Sequence, residues 1–496
     1  MNIKEAKQEI KNTVAAYLRK DAFGEYVIPV VRQRPVLLIG PPGVGKTQIM
    51  EQIARECKCG LVSYTITHHT RQSAVGLPFV KTEVFDGREY SVTEYTMSEI
   101  ILSIYRARRE TGKKEGILFI DEINCVSESL APTMLQFLQC KTFGNQRVPE
   151  GWIIVAAGNP PEYNKSVREF DVVTLDRVRQ IYVEADYKVW KEYAGRAGIH
   201  RAIRGYLELH KEKFYRIEND VDGMHFVTAR GWEDFSHLLY SYRELKFPVT
   251  EDVVYEYLPH REVAEDFLAY YDLYEKYEEE YPIQEILSGR VEPAVYERLS
   301  RASLDERGMV VQLLLAALLE RMHQSISEKR LVDDWYLFLK EYRSLIEDAE
   351  DKRKCYLKLL ETEEHSLFDG LTSGEISKEE EGCRKALLKF LREAAPKGDG
   401  DAKLCFGETK AFFDQRKGAM LLQKERTEAA TEHAFTFMED AFASGEEMVL
   451  FVTELTMAAD SVKFLADYTC EKYLKYSEEL LLGARRSELL AELRKG

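Results

Sequence analysis

A chain of 496 residues exceeds what one hydrophobic core can organise, and about 100–200 residues per domain predicts two to four units. Its 45% hydrophobic and 31% charged residues exclude a disordered chain, and no apolar run reaches the roughly 20 residues of a membrane span. A net charge of −16 argues against a broad nucleic-acid surface, because such binding relies on Lys and Arg neutralising phosphates, and it favours protein partners.

The N-terminal MNIKEAKQEIKNTVAAYL is charged and helical in period, with no apolar stretch ahead of a small-residue cleavage site; a helix and a cytoplasmic chain are expected. VLLIG then predicts a buried strand running into GPPGVGKT, TQIMEQIAREC a helix, and LVSYTIT a second strand. The following THHTRQSAVGLPFVKTEVFDGREY interrupts the next helix and carries a hairpin signal at Asp86-Gly87. GILFIDE and WIIVAAGN read as two more buried strands, so the first part predicts a parallel sheet with helices on both faces. From Tyr187 onward helices dominate. FLAYYDLYEKYEEEY is expected to pack one amphipathic face and solvate an acidic one, and VVQLLLAALLERMHQSI to be a buried bundle helix. SLFDGLTSGEISKEEEG and AAPKGDGDAK read as connectors. No sequence repeat suggests a solenoid. The chain is divided into 1–186, 187–264 and 265–496. The eight cysteines are scattered and expected as buried free thiols, and His68 and His69 lack further ligands at metal-binding spacing.

Chemistry concentrates at three strand ends. Gly40 to Thr47 fits G-x-x-x-x-G-K-S/T, a loop whose successive N–H groups wrap phosphates. Predicted nucleotide contacts are Gly40, Pro41, Pro42, Gly43, Val44, Gly45, Lys46, Thr47 and Gln48, with Lys46 reaching the β- and γ-phosphates and the Thr47 hydroxyl on Mg²⁺. Asp121, at the tip of GILFIDE, is positioned for the metal's water shell and Glu122 to polarise an attacking water. A strand that merely ends in two solvated acids is the alternative, and the phosphate loop upstream weighs against it. Asn159 ends WIIVAAGN, where an amide can hold that water and sense the γ-phosphate; its commoner use is to start a turn before a proline such as Pro160.

Taken in order, GPPGVGKT, ILFIDEIN, AAGNPPEYN, LDRVRQI and FVTARGWEDFS resemble the AAA+ ATPases, specifically their MoxR-like and dynein-related group, over about Pro35 to Tyr240. The resemblance implies an α/β P-loop AAA+ core, an α-helical lid and a mainly α-helical C-terminal region. It implies ATP as the nucleotide, Mg²⁺-dependent hydrolysis, and Asn159 as sensor 1. Arg177 is similar to the arginine finger that completes a neighbour's site, with Arg168 and Arg179 close enough to leave the assignment open, and Arg230 is similar to sensor 2 on the lid. The insert after the second strand and the hairpin in CKTFGNQRVPEGW resemble elements that face the pore of a ring. A homo-oligomeric, hexameric ring that remodels a partner protein follows from the same resemblance, with von Willebrand factor A domain proteins as one partner class.

Two departures leave the arginine geometry open: Val178 stands where Phe often follows the finger, and Ala229 where Pro often precedes sensor 2. Beyond Arg261 no accessory domain is recognised. One rival is a nucleic-acid motor or restriction-type NTPase, which expects basic pore inserts; here Lys81, Arg88, Lys141 and Arg147 are interleaved with acids. The other is a nucleotide-gated scaffold with little turnover, which the presence of Glu122 disfavours.

Overall fold

In chain order the elements are α1 (Ile3–Tyr17), β1 (Val36–Ile39), α2 (Lys46–Glu56), β2 (Gly60–Thr65), α3 (Arg71–Val75), β3 (Pro78–Phe85), β4 (Arg88–Tyr95), α4 (Glu99–Thr111), β5 (Gly116–Asp121), α5 (Ala131–Cys140), β6 (Thr142–Phe143), β7 (Gln146–Arg147), β8 (Trp152–Gly158), α6 (Val172–Leu175), β9 (Arg179–Tyr182), α7 (Tyr187–Arg196), α8 (Arg201–Leu209), β10 (Arg216–Asn219), β11 (Met224–Val227) and α9 (Ala229–Leu245), after which the chain is helical. The computed structural model describes residues 1–480 apart from 69–70, 129, 144–145, 164–169, 220–222, 373–375, 377 and 399–400. Two units are resolved: one comprises Met1–Trp190, Thr228–Gly231 and Asp369–Ser377, the other the remaining described chain.

The first unit is built on a five-stranded sheet of order β2-β5-β8-β1-β9, with every neighbouring pair parallel. Both faces are buried because alternate residues feed two cores. Val36, Leu38, Ile117, Phe119, Ile153 and Val155 pack with Ile10 and Val14 of α1 and Ile49, Met50 and Ile53 of α2. Leu37, Leu118, Ile120, Ile154 and Ala156 pack with Ile100 and Ile104 of α4 and Met134 and Phe137 of α5. The edge strand β9 goes beyond the sequence expectation. Its RQIY buries only Ile181, too little apolar content to read as a strand, and its pairing with β1 supplies the order.

The insert forms the antiparallel hairpin β3–β4, which turns at Asp86 (φ 50°) and Gly87 (φ 77°). Two consecutive positive φ values give a turn whose twist matches the strands, hence the Asp-Gly pair. His68 closes a short 3-10 turn, Ile66–His68, and His69 lies outside the described residues.

In the second unit, helix Arg261–Glu280 buries Val263, Phe267, Tyr270, Tyr271 and Tyr274 at three- and four-residue spacing and leaves its acids outward. The 43-residue helix Leu304–Ile346 buries Val310, Val311, Leu313, Leu314, Leu315 and Leu318, as a bundle helix should, and packs against the 41-residue helix Ala402–Phe442. One expected connector is corrected. Helix Lys352–Thr372 continues through SLFDGLT, and helix Lys378–Glu393 begins inside KEEEG. Leu, Phe, Lys and Glu sustain helix, buried Leu367 adds packing, and single glycines such as Gly370 and Gly382 cost only about 1 kcal/mol each. All eight cysteines are free, but the expected burial is corrected: only Cys59, Cys405 and Cys470 are buried, Cys57, Cys125, Cys355 and Cys383 are half-buried, and Cys140 is exposed. Among the described residues no helix is long and apolar enough to cross a membrane, and no group of three or more His, Cys, Asp and Glu side chains is placed to hold a metal.

His200 is a buried titratable group of the second unit. It caps α8, its Nδ1 accepting from the Ala202 N–H at 3.3 Å, and its ring packs against Tyr240, Tyr271 and Tyr274. Burial pushes its pKa down to about 4, with Arg243 and Arg201 adding to the shift. An imidazole held neutral in the fold but protonated when unfolded makes stability fall as pH drops from about 6.5 to 4, by on the order of 3 kcal/mol across that window. His200→Asn retains a capping acceptor and removes the titration. Urea denaturation at a series of pH values is expected to show a shallower acid slope for this variant; an unchanged slope would assign the acid lability elsewhere.

Candidate functional site

The sheet order sets the C-terminal ends of β1, β8 and β5 side by side, the position at which open α/β sheets receive ligands. Each end delivers one of the sequence-predicted groups. The loop Gly40 to Thr47 leaves β1 and enters α2, whose N-cap is Gly45 in the left-handed region (φ 91°). No side chain caps α2, and uncapped first-turn N–H groups at a helix N-terminus are the donors an anion can take. At Gly40 the constraint is space: a Cβ there would lie 2.7 Å from the Val183 carbonyl oxygen.

Lys46 is buried, at 8% exposure, and its Nζ donates to the carbonyls of Gly40 (2.6 Å) and Pro41 (2.8 Å) and to Oδ1 of Asn159 (2.9 Å). Burial pushes its pKa down to about 8 although Asp121 pulls the other way; Arg230 adds to the lowering. Thr47 and Gln48 are exposed on the same turn, and Val44 packs on the core shared with α1 and α2. The Thr47 hydroxyl donates to Oδ2 of Asp121 at 2.7 Å, and Oδ1 of Asp121 accepts the Glu122 N–H at 3.0 Å. A hydroxyl beside a carboxylate offers the hard oxygens that Mg²⁺ takes, so these residues fit that ion.

Glu122 holds φ 56°, a left-handed conformation that costs an L-residue about 1 kcal/mol or more. Its neighbours impose it. The Ile123 N–H bonds the Ala157 carbonyl of β8 at 2.9 Å, and the Cys125 N–H turns back to the Glu122 carbonyl at 2.9 Å. The chain therefore breaks strand alternation at Glu122 while remaining stitched to β8.

Asn124 was not singled out in the sequence. It is 5% exposed and grips the backbone of Asn159: its Nδ2 donates to the Asn159 carbonyl at 2.7 Å, and its Oδ1 accepts the Asn159 N–H at 3.3 Å. The only sequence signal is a polar residue closing ILFIDEIN, where burial of an amide demands partners. Thr228 was also passed over. A Cβ on Gly43 would lie 3.1 Å from the Thr228 Cβ and 3.6 Å from the Arg230 Cβ, so this short segment of the first unit lies against the loop, and the Thr228 hydroxyl accepts the Gly231 N–H at 3.1 Å.

The three candidate arginines part ways. Arg177 is exposed after α6, its guanidinium donating to Oε1 of Gln139, while the adjoining Val178 is buried in the core. Arg179 is engaged with α1 through the Thr13 hydroxyl (2.5 Å) and the Glu9 carboxylate. Arg168 lies outside the described residues. Arg230 is exposed at the start of α9.

Of the two hairpins, β6–β7 follows Lys141, whose Nζ donates to the Val30 carbonyl at 2.6 Å and whose pKa burial pushes down to about 8. On β3–β4, Lys81 pairs with Glu83 (2.9 Å) and Glu94 (3.3 Å), which neutralises the insert's central cation.

Residues 35–178 match the AAA domain family, dynein-related subfamily. No curated protein matches the chain. Among solved structures, the FIGL-1 AAA domain in complex with ADP is 18% identical, covering 48% of this chain and 64% of its own, at a TM-score of 0.24. A point mutant of RuvB from Thermotoga maritima is likewise 18% identical, covering 40% and 51% at a TM-score of 0.25. The chain thus spans less than two thirds of either structure. Over residues 35–178, then, the chain is similar to the AAA domains of the dynein-related subfamily.

Proposed function

We propose that this protein is a MoxR-like, Mg²⁺-dependent ATPase that works as a homo-oligomeric ring, hexameric in the resemblance, and couples ATP hydrolysis to remodelling of a partner protein. The observation that carries this reading is the meeting of Lys46, Thr47, Asp121, Glu122 and Asn159 at three adjacent strand ends. In it, the loop N–H groups and Lys46 bind the phosphates, and Asn159 orients the attacking water. Glu122 takes that water's proton as general base. The Thr47 hydroxyl and the Asp121 carboxylate would hold Mg²⁺, which when bound would supply positive charge at the phosphate oxygens.

Arg177 is our choice for the finger supplied to a neighbouring subunit, because it is exposed and meets the neutral Gln139 amide, whereas Arg179 is ion-paired to Glu9 on α1 of its own chain. Arg230 takes the sensor 2 role, residues 187–264 the lid, and residues 265–496 partner binding, with von Willebrand factor A domain proteins a candidate class. Pairing of Lys81 with two acids weakens the nucleic-acid alternative, since little free positive charge is left at the centre of that insert.

The test is ATP hydrolysis against protein concentration, with mass by light scattering. Specific activity is expected to rise as the ring assembles. Arg177→Ala is expected to lose about 1000-fold or more in kcat, since an arginine finger supplied in trans contributes 10³-fold or more where measured. Mixing it with Lys46→Ala subunits, which still offer a finger, should restore activity. Concentration-independent turnover that survives loss of Arg177 would rule out the shared site.

A further inference from the structure

Asn124 joins two catalytic segments that the sequence separates. Its side-chain amide faces the Asn159 peptide edge with both donor and acceptor matched, 2.7 Å and 3.3 Å apart, just where β8 ends and Pro160 and Pro161 follow. A proline has no N–H, so the chain beyond Asn159 supplies no further ladder donors there, and the buried amide of Asn124 substitutes for a missing strand neighbour. On the other side of Asn124, the Ile123 N–H is bonded to Ala157 and the Cys125 N–H to Glu122. The space is reserved for it: a Cβ on Gly158 would lie 2.6 Å from Asn124 Oδ1. Asn159 in turn presents its own Oδ1 to Lys46 at 2.9 Å.

We infer that Asn124 is a positioning residue that locks the Glu122 turn and the Asn159 tip into one rigid body, so that the base and the water-orienting amide keep their mutual geometry during hydrolysis. Asn124 does not reach the phosphate loop itself; its bonds run to the Asn159 backbone, and only the Asn159 side chain goes on to Lys46. Its loss therefore acts on the chemical step and spares nucleotide binding. This inference rests on the hydrolytic reading above.

Two substitutions reach the clasp by different chemistry. Asn124→Asp keeps the shape and the bond from the Asn159 N–H but turns a carboxylate oxygen toward the Asn159 carbonyl, replacing attraction with repulsion. Gly158→Ala leaves every polar group in place and displaces the Asn124 amide by crowding. The full chain carrying each variant would be assayed for steady-state ATP hydrolysis and for binding of a fluorescent ADP analogue, with thermal melting to verify folding. Both variants are expected to lose at least about tenfold in kcat with KM and ADP-analogue affinity within about twofold of the parent, because an interaction needed only in the transition state lowers kcat and kcat/KM together. Should one variant not fold, the other decides. An unchanged kcat in a folded variant, or a fall in affinity as large as the fall in kcat, would overturn the positioning role while leaving the ATPase reading intact. Absence of turnover in the parent ring would instead remove the ATPase reading, and this inference with it.

Discussion

Glu122→Gln is expected to bind ATP like the parent and to hydrolyse it at least about 100-fold more slowly. The amide is isosteric with the carboxylate but cannot accept a proton from water. The backbone at this position is set by the Ile123 bond to Ala157 and the Cys125 bond to Glu122, neither of which involves the side chain, so the φ of 56° should persist. Asp121 keeps both its bonds, to Thr47 and to the Glu122 N–H. Single-turnover phosphate release together with fluorescent-nucleotide binding separates the two effects. A companion substitution, Glu122→Gly, distinguishes strain from chemistry: glycine accepts a left-handed φ without a Cβ clash, so hydrolysis should be lost while the melting temperature holds or rises. Turnover by Glu122→Gln above a tenth of the parent rate would mean that another group is the base.

The second large effect is on binding. Lys46→Ala is expected to weaken ATP and ADP about 100-fold, or about 2.8 kcal/mol, and to abolish the stabilisation that saturating nucleotide confers on the parent. The ammonium is buried among the Gly40 and Pro41 carbonyls and Asn159, and burial has already lowered its pKa to about 8. Phosphate oxygens placed against it raise that pKa, so binding takes up a proton when the pH exceeds about 8. The sign is then set: affinity declines as pH rises above about 8, by up to tenfold per unit, and is flat below it. Isothermal titration with ADP between pH 7 and 9.5 in two buffers of different ionisation enthalpy would show both the decline and the proton uptake. Flat affinity across that range would mean that Lys46 does not bear on the phosphates.

Much of the first unit is legible in the sequence because short-range rules govern it. The phosphate loop declares itself through a fixed spacing of glycines before a Lys-Thr pair, and Gly45 meets that rule physically by adopting φ 91° at the helix cap. Asp86-Gly87 marks its hairpin for the same kind of reason, since both residues take positive φ. Continuous apolar runs such as ILFI and WIIV name strands covered on both faces, and the tyrosine spacing in Arg261–Glu280 names its buried side. Local composition misleads where packing overrides it: SLFDGLTSGEISKEEEG is rich in Gly and charge, yet both of its flanks are helix.

What the sequence alone determined about this protein is therefore a set of parts: a phosphate loop, an acid pair at a strand tip, an amide at another, and a long helical continuation. Only the tertiary structure decided which parts meet. Placing β8 between β1 and β5 brings Asn159 onto Lys46, 113 residues away, and admits the polar β9 as the edge strand. The same pairing sends the Asn124 amide to the Asn159 backbone, and it leaves Arg179 on α1 while Arg177 stays exposed. The reason is physical. Helix periods, turn dihedrals and loop spacings are set by neighbours along the chain, whereas strand order, buried amide partners and the fate of each arginine depend on hydrogen bonds closed across long separations, which no local pattern records.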